Sequence, residues 1–160
     1  MAKAILICGK ICSGKSFLAE KLKREYSAIV LSVDEITLGV LDGCPGNNHD
    51  DITERIQKYL LKKSIEIISV GVNIILDWGF WTKTKRNDIK EYYKTNGVEH
   101  VMYYIDISNE KLEQNTALRN KDVLRGKTSA FYVDEDLAKK CNDLFEPPNI
   151  DEYDYLIRCI

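Results

Sequence analysis

Five short apolar runs punctuate the chain, at residues 3–8, 29–33, 72–76, 101–107 and 155–159. Four of them are continuous rather than alternating. That is the pattern of strands covered on both faces, as in a parallel sheet between helical layers. Between the runs, apolar residues recur at helical spacing. One predicted helix covers residues 15–26, with Leu18, Leu22 and Tyr26 on one stripe. A second covers 51–70, opened by the capping box of Asp51 and Glu54. A third covers 85–95, where Asn96-Gly97 supplies a left-handed stop. A fourth runs from 109 to about 119, and a fifth follows Asp134 with Leu137, Cys141, Leu144 and Phe145 on one face. Strand and helix alternate throughout, which predicts a doubly wound α/β fold with right-handed crossovers.

Two segments resist the alternation. Residues 43–50 read GCPGNNHD, a polar and turn-rich loop, and residues 120–133 are basic and then irregular. In a doubly wound sheet such segments fall at or beside the carboxyl ends of the strands, where ligands bind.

The length of 160 residues fits one domain spanning the whole chain, 1–160, and the balance of 44% hydrophobic to 30% charged residues is that of an ordinary water-soluble protein. A net charge of −2 argues against a dedicated nucleic-acid binder. The five cysteines match no zinc spacing, and no secretion signal or membrane-length apolar run is seen. They are expected as reduced thiols in a cytoplasmic protein without a membrane partner. The two histidines, His49 and His100, do not suggest a metal site.

The sharpest chemical signal is at the first strand–helix junction. Gly9-Lys10-Ile11-Cys12-Ser13-Gly14-Lys15-Ser16 satisfies the G-x-x-x-x-G-K-[ST] pattern at each fixed position, and Phe17 continues it into the helix. Glycines let successive backbone N–H groups turn inward on phosphate oxygens, and the helix N-terminus adds its positive end. Lys15 is the expected partner of the outer phosphates and Ser16 of Mg²⁺, so the bound species are a nucleoside triphosphate and Mg²⁺. Cys12 inside this loop is a tolerated small residue or an oxidisable thiol.

Two carboxylates close predicted strands. Asp34 is either a base for an attacking hydroxyl or a helix N-cap, since Ser32 and Glu35 form a capping box around it. Asp77 ends the run Val72-Asn73-Ile74-Ile75-Leu76, the pattern of a metal-shell carboxylate or a turn residue. Trp78, Phe80 and Trp81 follow, as the wall of a substrate pocket or as a packed loop. Arg119, Lys121, Arg125 and Lys127 form a basic segment, a lid over the phosphates or a solvated face.

Taken together, the GxxxxGKS loop, Ser32-Val33-Asp34-Glu35, Leu76-Asp77-Trp78-Gly79-Phe80-Trp81, Arg86, Leu118-Arg119-Asn120, and Phe145-Glu146-Pro147-Pro148 with Glu152 carry a family resemblance. The chain resembles the small P-loop kinase-like ATP-binding proteins grouped with zeta toxin and chloramphenicol phosphotransferase. The resemblance implies a three-layer nucleotide-kinase-like fold with a five-stranded parallel sheet and a short lid at about 119–133. It implies phosphoryl transfer to a small-molecule hydroxyl, with Lys15, Asp34 and Arg119 as catalytic groups. It makes Asp34, Trp78, Trp81 and Arg86 candidate substrate contacts, Arg86 being alternatively an ion-pair anchor. Pro147 and Pro148 become either an adenine wall or a rigid turn. Relatives often carry an arginine four residues before the one matched by Arg119, and here that position is Asn115. The other function classes consistent with the sequence are a nucleotide-dependent binding module and, against the net charge, a nucleic-acid end kinase.

Overall fold

A computed structural model describes residues 1–41 and 49–159, with the side chain of residue 49 outside the description. Most of the polar segment 43–50 therefore lies outside the described residues, although positions 49 and 50 already belong to a helix.

The strands are β1 (Ala4–Cys8), β2 (Ala28–Leu31), β3 (Asn73–Gly79), β4 (His100–Ile107) and β5 (Tyr155–Cys159). They form one parallel sheet in the order β2-β3-β1-β4-β5. The helices are α1 (Lys15–Tyr26), α2 (Val33–Val40), α3 (His49–Ser69), α4 (Lys83–Thr95), α5 (Asn109–Leu124) and α6 (Glu135–Leu144).

Burial follows the continuous apolar runs: every residue of β1 is buried, as are Ile74, Ile75 and Leu76 of β3. The core divides by face. Ile5, Ile7 and Ile75 pack with Leu18, Ala19 and Leu22 of α1. Leu6, Cys8, Ile74 and Leu76 pack with Leu60 of α3 and Ile89 and Tyr93 of α4. Helices leaving β1 and β3 thus cover opposite faces. Neighbouring strands with diverging connections open a crevice at their carboxyl ends, and the crevice lies between β1 and β3.

Three departures from the sequence expectation bear on that crevice. Helix α2 was signalled only by the capping box of Ser32 and Glu35, not by apolar periodicity, and Val33 begins it rather than ending β2. Ser32 caps it by accepting a hydrogen bond from Glu35 N at 3.3 Å. A strand-like residue so close to a strand hides an eight-residue helix from a periodicity reading. Helix α5 runs on to Leu124, so Arg119 sits within a helix and not at its end. Strand β3 continues through Asp77 and Trp78 to Gly79, where it carries a bulge. Leu6 faces Leu76, but Cys8 faces Gly79, so β3 spends one residue more than β1 over that interval. A bulge re-aims the side chains at its site and adds local twist.

The chain then turns sharply. Gly79 has φ +80° and Phe80 φ +46°, two successive residues in left-handed geometry. A Cβ on Gly79 would lie 2.5 Å from Trp81 Nε1. Gly71 shares the positive φ, at +87°, but has open space around it. Gly79→Ala is therefore expected to lose about 2–3 kcal/mol in urea unfolding, from backbone strain plus overlap with the indole, whereas Gly71→Ala loses about 1 kcal/mol from strain alone. Equal losses at the two positions would show that the Trp81 contact does not constrain the corner.

Candidate functional site

The loop from Gly9 to Ser16 is shaped by backbone rules before any ligand is considered. Ser13 N donates to Lys10 O at 3.2 Å, closing a tight turn, and Cys12 and Gly14 take positive φ of 59° and 95°. Gly9 admits no side chain, because a Cβ there would lie 2.6 Å from Ser13 Oγ. Helix α1 starts after Gly14 with no side-chain cap and no acidic residue in its first turn. Its leading N–H groups and positive end are thus left for an anion. In α2, α4, α5 and α6 the same place is taken by the side chains of Ser32, Thr82, Ser108 and Asp134.

Lys15 is half-buried, and its ammonium donates to Lys10 O at 2.7 Å. Burial lowers its pKa, and the carboxylates of Asp77 and Asp34 oppose that shift. Ser16 Oγ donates to Asp77 Oδ2 at 2.8 Å. The other carboxylate oxygen, Asp77 Oδ1, is buried and has no hydrogen-bond partner. Burial raises the Asp77 pKa, against the pull of Lys15 and of the Ser16 hydroxyl.

The donor set suits Mg²⁺. A hydroxyl and a carboxylate oxygen are hard ligands, and Mg²⁺ commonly takes one or two protein oxygens with phosphate and water completing the octahedron. The orphaned Oδ1 is the acceptor such an ion would satisfy. Among the described residues no group of three or more His, Cys, Asp or Glu side chains could hold a metal.

Asp34 falls on the second residue of α2, and Ser32, not Asp34, caps the helix. The Asp34 side chain is exposed, and it is close enough to influence both Lys15 and Asp77 electrostatically. The fold thus brings Lys15, Ser16, Asp34 and Asp77 to one crevice from three separate segments, α1, α2 and β3. Helix α5 closes another side. Asn115 Nδ2 donates to Cys12 O at 3.0 Å, and Arg119 donates from Nε to Phe131 O at 2.9 Å while its Nη1 stands 3.7 Å from Cys12 Sγ. Asn115 therefore braces the loop that phosphate would occupy. Phe17, one residue past Ser16, is 82% exposed, so whatever it gives a ligand comes from its backbone or from an accessible ring.

The aromatic segment is largely structural. Phe80 is buried, and Trp78 stacks on it at 6.0 Å while donating from Nε1 to Leu31 O at 2.8 Å. That bond ties the end of β3 to the end of β2, just before Asp34. Trp81 is half-buried over Gly79, and its Nε1 has no partner.

Arg86 requires a correction. Its side chain is 1% exposed, so it cannot contact a substrate. Nε pairs with Glu152 Oε2 at 2.7 Å, and Nη1 donates to Glu146 O at 2.8 Å and Phe80 O at 3.1 Å. It is the ion-pair anchor. The Phe-Glu-Pro-Pro segment belongs to the same cluster. Glu146 N donates to Trp81 O at 2.8 Å, and Glu146 Oε2 accepts from Lys83 N at 2.7 Å. Pro148 is buried and Pro147 exposed. Sequence reasoning treated Glu146 and Glu152 only as family markers; nothing in their spacing shows that they converge on Arg86.

A phosphate-wrapping loop, a helix N-terminus, a lysine and a serine–aspartate pair define a P-loop nucleotide-binding protein of the kinase-like type. The chain belongs to an AAA domain family, which it matches over residues 5–148. Solved structures agree on the fold. A protein of Chloroflexus aurantiacus described provisionally as a kinase superposes with a TM-score of 0.74 at 14% identity, over 99% of this chain and 87% of the other. The APS kinase of Mycobacterium tuberculosis, in complex with AMPPNP and APS, gives 0.68 at 16% identity, over 98% and 88%. A gluconokinase of Sinorhizobium meliloti gives 0.65 at 14% identity, over 98% and 82%. No curated protein matches the sequence. No helix among the described residues is long and apolar enough to cross a membrane.

The electrostatics of Asp77 make a prediction. Below the ordinary carboxylate pKa, folded and unfolded states are both protonated and the buried group costs nothing. As pH rises through that value toward the higher folded pKa, the folded state alone retains the proton and stability falls. Asp77→Asn should therefore be at least as stable as the parent at pH 7 in urea unfolding without nucleotide, with the gain disappearing at acid pH. A clear loss of stability at pH 7 would mean that the carboxylate is satisfied in the free protein.

Proposed function

We propose that this protein is an ATP-dependent phosphotransferase that moves the γ-phosphoryl group of Mg²⁺·ATP to a hydroxyl of a small molecule in the cytoplasm. The observation that carries this is the crevice itself. The Ser16–Asp77 pair holds an unpartnered buried carboxylate oxygen, and the Asp34 carboxylate stands near Lys15 with no hydrogen bond or ion pair among the described residues. A carboxylate beside the lysine of a phosphate loop is the group that proton transfer from an acceptor hydroxyl requires. The kinase-type structures with the same fold support the class, and the P-loop supports the nucleotide.

In this reading backbone N–H groups from Gly9 to Phe17 cradle the phosphates, and Lys15 neutralises the outer ones. Ser16 and Asp77 hold Mg²⁺, which when bound shields charge on the β- and γ-phosphates. Asp34 accepts the proton of the acceptor hydroxyl as its oxygen bonds to the γ-phosphorus and the β–γ bridging P–O bond breaks onto ADP. Arg119 meets the charge that develops on the transferred group from within α5, and the segment that follows this helix, to about residue 133, is the lid that keeps out water. Trp78 and Trp81 border the acceptor side of the crevice through the faces that packing leaves exposed.

One observation favours a second reading, a nucleotide-dependent binding module. Asn115 stands where relatives often have a lid arginine, and it spends its amide on the P-loop backbone. ADP release from ATP, measured against a panel of nucleosides, sugars, shikimate-like acids, aminoglycosides and phenicols, separates the two. Stimulation by one acceptor class is expected. Lys15→Ala should abolish it, and Asp34→Asn should lower turnover by at least about 100-fold while ATP affinity changes little. Full turnover in Asp34→Asn would refute the base assignment. Nucleotide binding with no stimulation by any acceptor would favour the binding module.

A further inference from the structure

Among the described residues, the largest fully buried side chain is a charged one. Arg86 lies outside the crevice, yet one of the carbonyls it holds leads there. Its Nη1 donates to Phe80 O, the same carbonyl that accepts from Cys8 Sγ at 3.5 Å at the end of β1. One residue earlier, Gly79 O accepts from Gly9 N at 3.1 Å, the first residue of the phosphate loop. Two residues before Gly79 is Asp77, in the bulge of β3. Gly79 and Phe80 both have positive φ, a geometry that persists only where the surroundings over-determine it. The Arg86 guanidinium is the rigid planar fork that does so, fixed from behind by Glu152, whose Oε1 accepts from Asn149 N at 2.9 Å.

We propose that Arg86 is a positioning residue for the nucleotide site. It clamps the Gly79–Phe80 corner and so sets the distance between the start of the phosphate loop and the Asp77 carboxylate. The proposal rests on the nucleotide reading of that crevice. Packing alone does not require an arginine here, because a buried ion pair is often replaceable by apolar side chains of similar size with little loss of stability. Such a replacement keeps the core filled but abolishes the hydrogen bonds to the Phe80 and Glu146 carbonyls. Removing one partner alone would strand the other charge and confuse the two roles.

The test compares the parent with the double variant Arg86→Met/Glu152→Met, using urea unfolding for stability and calorimetry for the affinity of Mg²⁺·AMPPNP. The expected result is a urea midpoint near the parent's and an affinity lowered by about tenfold or more. Arg86→Lys, which keeps the charge opposite Glu152 but not the planar fork, should also bind weakly, and it decides the matter by the same measurement if the double variant does not fold. Parent-like affinity in a folded variant would overturn the proposal and leave Arg86 a structural residue only. Failure of the parent itself to bind Mg²⁺·AMPPNP would instead overturn the nucleotide reading, a distinguishable result.

Discussion

The hydrogen bond from Gly9 N to Gly79 O joins the two ends of the crevice, and the remaining site geometry depends on it. It fixes where β1 hands over to the phosphate loop relative to where β3 ends. Because β3 spends an extra residue against β1 just before this bond, Asp77 is placed within reach of Ser16. In an unbulged register every side chain beyond the slip would exchange faces. Glycine is required at both partners, for the left-handed φ and the indole contact at Gly79 and for the approach of Ser13 at Gly9. Few sequences satisfy both at once.

The charges around this junction are poorly accommodated without a ligand. Burial disfavours the ionised forms of Asp77 and of Lys15; each partly compensates the other, and the Asp34 carboxylate helps Lys15 while adding to the penalty on Asp77. Asp77 Oδ1 has no hydrogen bond, and Ser13 Oγ is also buried without one. In most of a folded protein such groups are paired. Their concentration at one crevice is the signature of groups arranged for a ligand's charge, at some expense to stability. The Arg86–Glu152 pair lies behind this layer with its hydrogen bonds satisfied. The supporting shell is rigid where the site in front of it is under tension.

Much of this was legible in the sequence, for identifiable reasons. Buried strands announce themselves as continuous apolar runs, and helix α1 was legible from Lys15 to about Tyr26 because a glycine-rich turn precedes it and Leu18, Leu22 and Tyr26 share one stripe. The phosphate loop has fixed spacing within one segment, so local pattern suffices. Helix α2 showed only through the Ser32–Glu35 capping box, because Val33 reads equally well as strand. The bulge was hidden because register belongs to a pair of strands and not to one. Arg86 was the clearest failure of local reasoning. Its partners lie at Phe80, Glu146 and Glu152, the last 66 residues away, and only the folded chain shows that the guanidinium is spent on them. Resemblance offered two roles for it, and burial decided between them.

The central claim is that Ser16 and Asp77 form the metal-bearing half of a nucleotide site. It is tested most directly by calorimetry of AMPPNP binding in Mg²⁺ and in EDTA, for the parent and for Asp77→Asn. The account predicts that Mg²⁺ strengthens binding to the parent by about tenfold or more and that Asp77→Asn loses most of this gain while binding the metal-free nucleotide at least as well. The same Mg²⁺ dependence in both proteins would contradict it, and would assign the buried carboxylate to some other task.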